Sequence, residues 1–202
     1  MSVFSDRKTV EQRMGIIPET KSVARFVPSD SIFKLDLCFD VEKLRASLAD
    51  CLEKVGYANN EWKAQGFGIL PLNHRADDND LSANDLSGRY WMRKDDRYIE
   101  EAFEDYVAES AYTEFDSRLI GTYLEEVYRA LCARFPIGRV RILSKEVYNC
   151  NSWHRDPEPR LHIPIVSNPG ALFVVNHHVT HLPADGSVYF TDTRGYHTAI
   201  NG

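Results

Sequence analysis

The sequence contains no hydrophobic run long enough to cross a membrane. A membrane-spanning helix needs about 20 consecutive apolar residues, and the hydrophobic residues, 43% of the 202, occur only in short groups. The N-terminal residues also lack the apolar run of a secretory signal peptide. We therefore predict a cytoplasmic protein without membrane contact. Its length and composition are typical of one globular domain.

Cysteine is scarce, and its four occurrences, Cys38, Cys51, Cys132 and Cys150, form no C-x-x-C pair. Four cysteines could form disulfides, but disulfides persist mainly in secreted proteins. Because no signal peptide is evident, we predict reduced thiols that are mostly buried.

Basic residues do not predominate either. Lys and Arg number 24 against 30 Asp and Glu, which gives a net charge of −6. A general nucleic-acid binder needs a basic face that releases counterions from phosphates, so we predict no nucleic-acid partner. The acidic excess is concentrated in residues 77–116, which carry 13 Asp and Glu but only 4 Lys and Arg. This run is typical of a solvated acidic surface; a docking surface for a basic partner is the alternative.

Helical periodicity is confined to the first two thirds of the chain. Asp40 is a candidate N-cap for a helix whose apolar residues recur every three or four positions and which ends at Gly56. The clearest helix is predicted over 117–135, where one apolar stripe recurs. Another helix is expected to start near Ile99.

Strands and a long loop separate these predicted helices. Alternating apolar residues predict strands at 32–37 and 66–72, whereas residues 74–96 are rich in Asp, Asn, Ser and Gly and are expected to form a surface loop. The apolar group Tyr90-Trp91-Met92 within this loop would pin it to the core or form part of a substrate wall.

Short strands dominate the last third of the chain. They are predicted at 139–147, 160–166, 171–175, 187–192 and 196–200, with turn signals between them. Helices followed by short strands indicate an α+β fold in which helices pack against a double-sheet jelly roll, as in cupins. We predict a single domain with an N-terminal arm (1–30), a mainly helical part (31–136) and a jelly-roll part (137–202).

Three residues of the jelly-roll part have the chemistry of a metal site. His154 and Asp156 are two positions apart, and on an extended strand side chains at i and i+2 leave the same face. A third ligand is needed, and His197 supplies a candidate. Two histidines and one carboxylate, with the opposite positions open, form the arrangement associated with non-haem Fe(II) oxygenases. The sequence therefore predicts a metal centre of these three residues.

Five sequence blocks follow one another in order around this predicted centre. They are His154-Arg155-Asp156, Arg160-Leu161-His162-Ile163-Pro164-Ile165, Asn168-Pro169, Asp185-Gly186-Ser187-Val188 and Tyr196-His197-Thr198-Ala199-Ile200-Asn201. Together they resemble the aspartyl/asparaginyl β-hydroxylase family, over roughly residues 139–202. A bare His-x-Asp occurs by chance in many chains, so the resemblance rests on the ordered set.

The resemblance implies a 2-oxoglutarate- and Fe(II)-dependent dioxygenase with a double-stranded β-helix core. Such an enzyme hydroxylates a C–H bond of an amino acid, free or within a peptide, uses O₂, and releases succinate and CO₂. The resemblance makes His154, Asp156 and His197 the iron ligands and the catalytic residues.

The resemblance also implies a site for the co-substrate. Arg160 and His162 match the Arg-x-His that faces the carboxylates of 2-oxoglutarate, and Ser144 matches a hydroxyl on the preceding strand. In the family, an Arg about ten residues beyond the distal His pairs with the far carboxylate. The sequence ends at Gly202, so we expect either that the natural chain continues or that another cation takes this role.

Asp156 also bears on the substrate. Some members of the family lack the carboxylate ligand, and its presence makes this chain similar to the bacterial branch that includes free-proline hydroxylases. We therefore favour a free amino acid over a peptide. Residues 74–98 could close over such a ligand and carry four candidate cations, Arg75, Arg89, Arg93 and Arg97. The acidic run would suit a basic peptide equally well.

Two other functional classes compete with this interpretation. One is a metal-dependent cupin enzyme that does not use 2-oxoglutarate; the other is a non-catalytic jelly-roll interaction domain. The Arg160-x-His162 pair argues against the first, and intact metal ligands argue against the second. His177, His178 and His181 could suggest a further metal cluster, but we predict that they lie in an exposed loop or hairpin.

Overall fold

The computed structural model describes residues 24–55, 63–64, 66–76, 88–93, 99–105 and 107–202. These residues form two α-helices, α1 (Val41–Lys54) and α2 (Tyr123–Cys132). They also form fifteen strands: β1 (Ile32–Cys38), β2 (Lys63–Ala64), β3 (Phe67–Pro71), β4 (Asn73–His74), β5 (Gly88–Arg93), β6 (Glu100–Asp105), β7 (Glu114–Phe115), β8 (Arg141–Lys145), β9 (Asn149–Cys150), β10 (His154–Arg155), β11 (Arg160–His162), β12 (Ala171–Val175), β13 (His178–His181), β14 (Ser187–Thr191) and β15 (His197–Asn201).

Helix α1 begins where the sequence predicts it. The carboxylate of Asp40 accepts hydrogen bonds from the backbone N–H groups of Glu42 and Lys43, which satisfies two of the unpaired donors of the first turn. The helix buries Leu44 and Cys51 against the core. It ends at Lys54, and the predicted stop at Gly56 lies outside the described residues.

Helix α2 is shorter than the sequence predicts. The predicted helix over 117–135 is divided into a 3₁₀ turn at Ser117–Leu119 and the α-helix proper. Gly121 lies between them with φ +81°, a left-handed conformation that glycine adopts readily and that no α-helix can contain. The apolar stripe is confirmed at Leu124, Val127 and Leu131, which are all buried, but the prediction that it includes Ile120 is wrong, because that side chain is 61% exposed.

The strands pair antiparallel and form two main sheets. One has the order β1-β14-β11; the other has the order β13-β12-β15-β10-β5-β6, with β9 beside β15. Two smaller sheets have the orders β2-β3-β8 and β4-β7. A structure of mostly antiparallel sheet with two helices in its described part is compatible with the β-rich jelly roll predicted from the sequence.

The prediction that 31–136 is mainly helical is wrong for the described residues. A β-hairpin of β5 and β6 replaces the helix expected near Ile99 and the end of the expected loop. Trp91 and Met92, from the apolar group assigned to that loop, lie on β5 and pair with β10. The charged β6 sequence lacks apolar alternation, and its strand state comes from pairing with β5, which local periodicity does not report.

The buried side chains form two clusters. The helix-packed core lies between the helices and strands β3, β8 and β14, and consists of Leu44, Cys51, Leu70, Leu72, Leu119, Leu124, Val127, Leu131, Ile142 and Val188. The second cluster lies between the two main sheets and contains Ile32, Val175, Leu182 and Tyr189.

Part of the N-terminal arm belongs to this second cluster, contrary to the prediction that residues 1–30 lie outside the core. Phe26 packs on Tyr189 with ring centroids 5.1 Å apart. The backbone N–H of Val27 donates to the hydroxyl of Thr180 at 2.7 Å. These contacts hold the described part of the arm against β13; residues 1–23 lie outside the described residues.

The cysteines are free thiols, as predicted, but they are not mostly buried. Only Cys51 is buried, whereas Cys38, Cys132 and Cys150 are exposed. Within the described parts of the chain, neither helix combines the length and apolar character that a membrane crossing would demand.

Candidate metal centre

Strand pairing brings the three predicted metal ligands together. His154 on β10 is directly opposite His197 on β15, so both imidazoles leave the same face of the sheet, with ring centroids 4.2 Å apart. Asp156 follows β10 and is held by a backbone hydrogen bond from its N–H to the carbonyl of Thr193. One ligand atom from each residue lies within 4.8 Å of the other two. We call these three residues the metal-ligand cluster.

Backbone carbonyls fix the orientation of both imidazole rings. The Nδ1 of His154 lies 2.7 Å from the carbonyl oxygen of Ser152, and the Nδ1 of His197 lies 3.1 Å from that of Gly195. A carbonyl only accepts hydrogen bonds, so Nδ1 carries the proton in both rings. Nε2 is therefore the ring nitrogen that could bind a metal in both residues, which is the usual arrangement of metal-binding histidines.

The turn before β15 depends on a close approach at Gly195. A Cβ atom at this position would lie 2.5 Å from the side chain of Asn176. Only glycine fits without displacing Asn176. The turn thereby presents the carbonyl that holds the ring of His197.

The carboxylate of Asp156 is buried without a hydrogen-bond donor on one oxygen. Asp156 is only 3% exposed. Its Oδ2 lies 2.8 Å from Nη2 of Arg160 and 3.4 Å from Nε2 of His197. Neither nitrogen has an N–H group aligned with this oxygen, so Oδ2 accepts no hydrogen bond. An unsatisfied buried acceptor is costly, and a metal ion would satisfy it.

Burial also tunes the ionisation of the cluster. Burial raises the pKa of Asp156, and the positive charge of Arg160 opposes this shift. Burial, with a smaller effect from His154, lowers the pKa of His197 to about 3. His197 is therefore neutral at pH 7, as metal coordination requires. The donor set of two imidazoles and a desolvated carboxylate fits a divalent cation.

Arg160 and His162 lie on one face of β11, and that face is turned towards the cluster. The guanidinium of Arg160 contacts Asp156, as described above. The ring of His162 lies 5.0 Å from that of Phe173, which in turn lies 5.8 Å from that of His197. The Nε2 of His162 is shielded from solvent and has no hydrogen-bond partner, although part of the residue is exposed. Burial lowers the pKa of His162 to about 4.

Ser144 shares a strand face with the helix-packed core. It lies on β8 opposite Gly68, and two positions before it on the same face is Ile142, whose side chain belongs to that core. Arg141 lies on the other face of β8, and its positive charge favours the ionised form of Asp156. Sequence reasoning missed Arg141, although the alternation Arg139-Val140-Arg141 could have indicated a polar strand face.

Two of the other clustered histidines, His178 and His181, lie against backbone carbonyls. They lie in the hairpin of β12 and β13, which turns at Asn176 and His177 with positive φ. The Nε2 of His178 lies 3.0 Å from the carbonyl of Val27, and the Nδ1 of His181 lies 2.8 Å from that of Ala171. The predicted hairpin is confirmed.

Of the four candidate cations between 74 and 98, Arg93 is the most informative. Its guanidinium lies 5.6 Å from the ring centroid of Tyr196, and Tyr196 is on the face of the sheet opposite to His197. Arg93 is therefore not directed at the metal-ligand cluster. Arg75 follows β4 and is partly buried. Arg97 and the side chain of Arg89 lie outside the described residues.

Searches against protein-family models and against curated proteins gave no match for this chain. The resemblance to aspartyl/asparaginyl β-hydroxylases therefore stays a prediction, and the function has to be inferred from the geometry of the site. That geometry could hold a metal ion between His154, Asp156 and His197.

Proposed function

We propose that this chain is a 2-oxoglutarate- and Fe(II)-dependent dioxygenase that hydroxylates a C–H bond of an amino acid, free or within a peptide. The observation that carries the proposal is the metal-ligand cluster: two histidines whose Nδ1 atoms face backbone carbonyls and a buried carboxylate, with one ligand atom of each residue within 4.8 Å of the others. Two histidines and one carboxylate leave adjacent coordination positions open for small molecules.

The proposed core is a double-stranded β-helix, in which two sheets face each other across the site. In support, β10 and β15 of one sheet carry the two histidines, and β11 of the other carries Arg160. The 2.8 Å contact between Arg160 and Asp156 joins the two sheets at this point. Residues from both sheets therefore surround one small volume.

The chain's own residues would hold the metal and the co-substrate. His154, Asp156 and His197 would bind Fe(II), which supplies the O₂ activation that couples oxidation of 2-oxoglutarate to succinate and CO₂ with substrate hydroxylation. Arg160 would bind a carboxylate of 2-oxoglutarate, because a guanidinium matches a carboxylate with two parallel hydrogen bonds. His162, neutral at pH 7, would give its unpaired Nε2 a partner in the same ligand.

The contact of Arg160 with Asp156 also favours a second candidate function. An arginine that neutralises a metal-ligating carboxylate need not bind a co-substrate. A metal-dependent cupin-type enzyme that does not use 2-oxoglutarate would explain the cluster and this ion pair equally well. Consumption of 2-oxoglutarate separates the two functions.

The test is turnover of 2-oxoglutarate by Fe(II)-loaded protein, measured as succinate and CO₂ release with free amino acids and with basic peptides. The proposal expects release that depends on Fe(II) and is stimulated by one substrate class. His197→Ala should abolish both release and tight Fe(II) binding. The matched control is His181→Ala, which removes a histidine outside the cluster and should retain both.

Two outcomes would contradict the proposal. Metal binding through His197 without any 2-oxoglutarate turnover would favour the second candidate function. Unchanged Fe(II) affinity in His197→Ala would show that the cluster is not the metal site.

A further inference from the structure

The residues next to the metal ligands point to the opposite face of the same sheet. Arg155 lies between His154 and Asp156, and Tyr196 directly precedes His197. Because side chains alternate along a strand, Arg155 and Tyr196 lie behind the metal-ligand cluster. A contact that fixes these two residues therefore also fixes the backbone that carries the ligands.

One carboxylate, that of Glu100 on β6, binds both of these residues. Its Oε1 accepts from Nε of Arg155 at 2.6 Å and its Oε2 accepts from Nη2 at 3.0 Å, so the pair is bidentate. The hydroxyl of Tyr196 donates to the same Oε1 at 2.5 Å. We call this arrangement of Glu100, Arg155 and Tyr196 the Glu100 clamp.

The clamp reaches across strand β5, which separates β6 from β10. The guanidinium of Arg155 lies 3.9 Å from the ring centroid of Trp91 on β5, so it crosses β5 by packing on an aromatic face. The side chains of Arg155 and Glu100 are 30% and 35% exposed. Bidentate geometry sets this pair apart from most surface ion pairs, which contribute little.

Direct pairing between the two ligand strands is short. Strand β10 has only two residues, and its ladder with β15 has a single pair, His154 with His197. Backbone hydrogen bonds from Asn151 to Ala199 and from Asp156 to Thr193 flank this pair. A metal site tolerates displacements of only a few tenths of an ångström. The Glu100 clamp adds a side-chain connection between the same strands.

We propose that Glu100 is a positioning residue for the metal centre, which holds the strands of His154 and His197 at the spacing that the metal requires. This inference rests on the proposed metal site. Glu100 touches neither a ligand nor the metal position, and it acts only through Arg155 and Tyr196.

The experiment measures Co²⁺ binding to the full chain by calorimetry, together with the d–d absorption spectrum of the Co²⁺ form. Three variants weaken the clamp to different extents: Glu100→Ala, Glu100→Gln and Tyr196→Phe. The matched control is Glu125→Gln. Glu125 also binds an arginine, Arg129, through Nε and Nη2 and accepts a backbone N–H from Gly121, but it lies on α2, away from the cluster.

The expected losses are graded. Glu100→Ala should weaken Co²⁺ binding about tenfold, as for residues that orient metal ligands, and should alter the d–d spectrum. Glu100→Gln keeps an acceptor for Tyr196 and should lose about threefold, while Glu125→Gln should bind as the wild type does. A purely structural role of Glu100 would lower the melting temperature of the metal-free protein without changing the spectrum.

Each contrary result has a distinct meaning. Wild-type affinity and spectrum in the Glu100 and Tyr196 variants would overturn the clamp and leave the proposed function standing. Equal losses in Glu125→Gln would also overturn it, because the effect would not be specific to the clamp. Absence of Co²⁺ and Fe²⁺ binding by the wild type would overturn the proposed function and the clamp together. If Glu100→Ala does not fold, the Co²⁺ affinities and spectra of Glu100→Gln and Tyr196→Phe test the clamp.

Discussion

The helix-packed core and the metal-ligand cluster bury polar side chains in different ways. Asn73, at the edge of the helix-packed core, is 1% exposed, and its amide donates to the carbonyls of Tyr112 and Gly138 and accepts from the N–H of Val140. Asp156 is buried almost as deeply, yet one of its oxygens accepts no hydrogen bond. Native proteins satisfy nearly all buried polar groups with hydrogen bonds, whereas this oxygen has only the ion-pair contact with Arg160.

This difference implies that the two regions can be damaged separately. A change in the helix-packed core should reduce the free energy of unfolding and leave the intrinsic metal affinity of the folded protein unchanged. A change in the metal-ligand cluster should reduce metal affinity and leave the free energy of unfolding of the metal-free protein nearly unchanged.

The largest effect is expected from Leu119→Ala in the helix-packed core. Leu119 is 0% exposed, and truncating such a side chain leaves a cavity that costs about 2–5 kcal/mol. Denaturant unfolding measures this loss, and calorimetry should show wild-type metal affinity. The matched control is Ile120→Ala, at a position 61% exposed, which should change stability by less than about 0.5 kcal/mol. Equal losses at both positions would contradict the assignment of the core.

Asp156→Asn should weaken metal binding strongly and change stability little. The amide is nearly isosteric but is a poor ligand without negative charge, so metal affinity should fall about a hundredfold, or about 2.7 kcal/mol. The metal-free protein should change in stability by no more than about 1 kcal/mol, because Arg160 is 34% exposed and can regain water. Titration calorimetry and denaturant unfolding of the same preparation check both values. A large loss of stability with intact metal affinity would assign Asp156 a structural role.

Arg160→Ala separates co-substrate binding from metal binding within the site. The proposed function expects the apparent KM for 2-oxoglutarate to rise by about ten- to a hundredfold, because one charge-assisted interaction of about 1.5–3 kcal/mol is lost. Fe(II) affinity should stay nearly intact. Unchanged 2-oxoglutarate affinity by calorimetry would place the co-substrate elsewhere, or show that none is used.

The smallest effect concerns the dependence of stability on pH at His162. Burial lowers the pKa of His162 from 6.5 to about 4 in the folded state. Between pH 6.5 and pH 4 the imidazole is therefore protonated in the unfolded state but neutral in the folded state. Stability is therefore lost as the pH falls from 6.5 towards 4, by about 1–2 kcal/mol at pH 5. His162→Phe removes this contribution, and its unfolding free energy should decline less between pH 7 and pH 5. Parallel curves for the variant and the wild type would contradict the buried, neutral state of His162.

Local sequence patterns were sufficient for several elements. The cap at Asp40, the apolar stripe at Leu124, Val127 and Leu131, and most C-terminal strands occur where periodicity predicts them. Each of these signals involves residues that are close in sequence, and local geometry determines which of them share a face. The predicted ligands His154, Asp156 and His197 also come together, although pairing of β10 with β15 was needed to make them neighbours.

Only the tertiary structure determined which strands and side chains pair when they are far apart in the sequence. The state of β5 and β6 depends on β10, whose residues lie about 60 positions further along the chain, and no property of the β6 sequence alone indicates that partner. Local sequence also does not indicate the partners of two side chains. Arg160 lies against Asp156, a proposed metal ligand, and Glu100 joins the strands behind the cluster. A sequence specifies which side chains a strand presents on each face, but the partner opposite that face is selected only when the whole sheet assembles, because each pairing is stabilised by its neighbours.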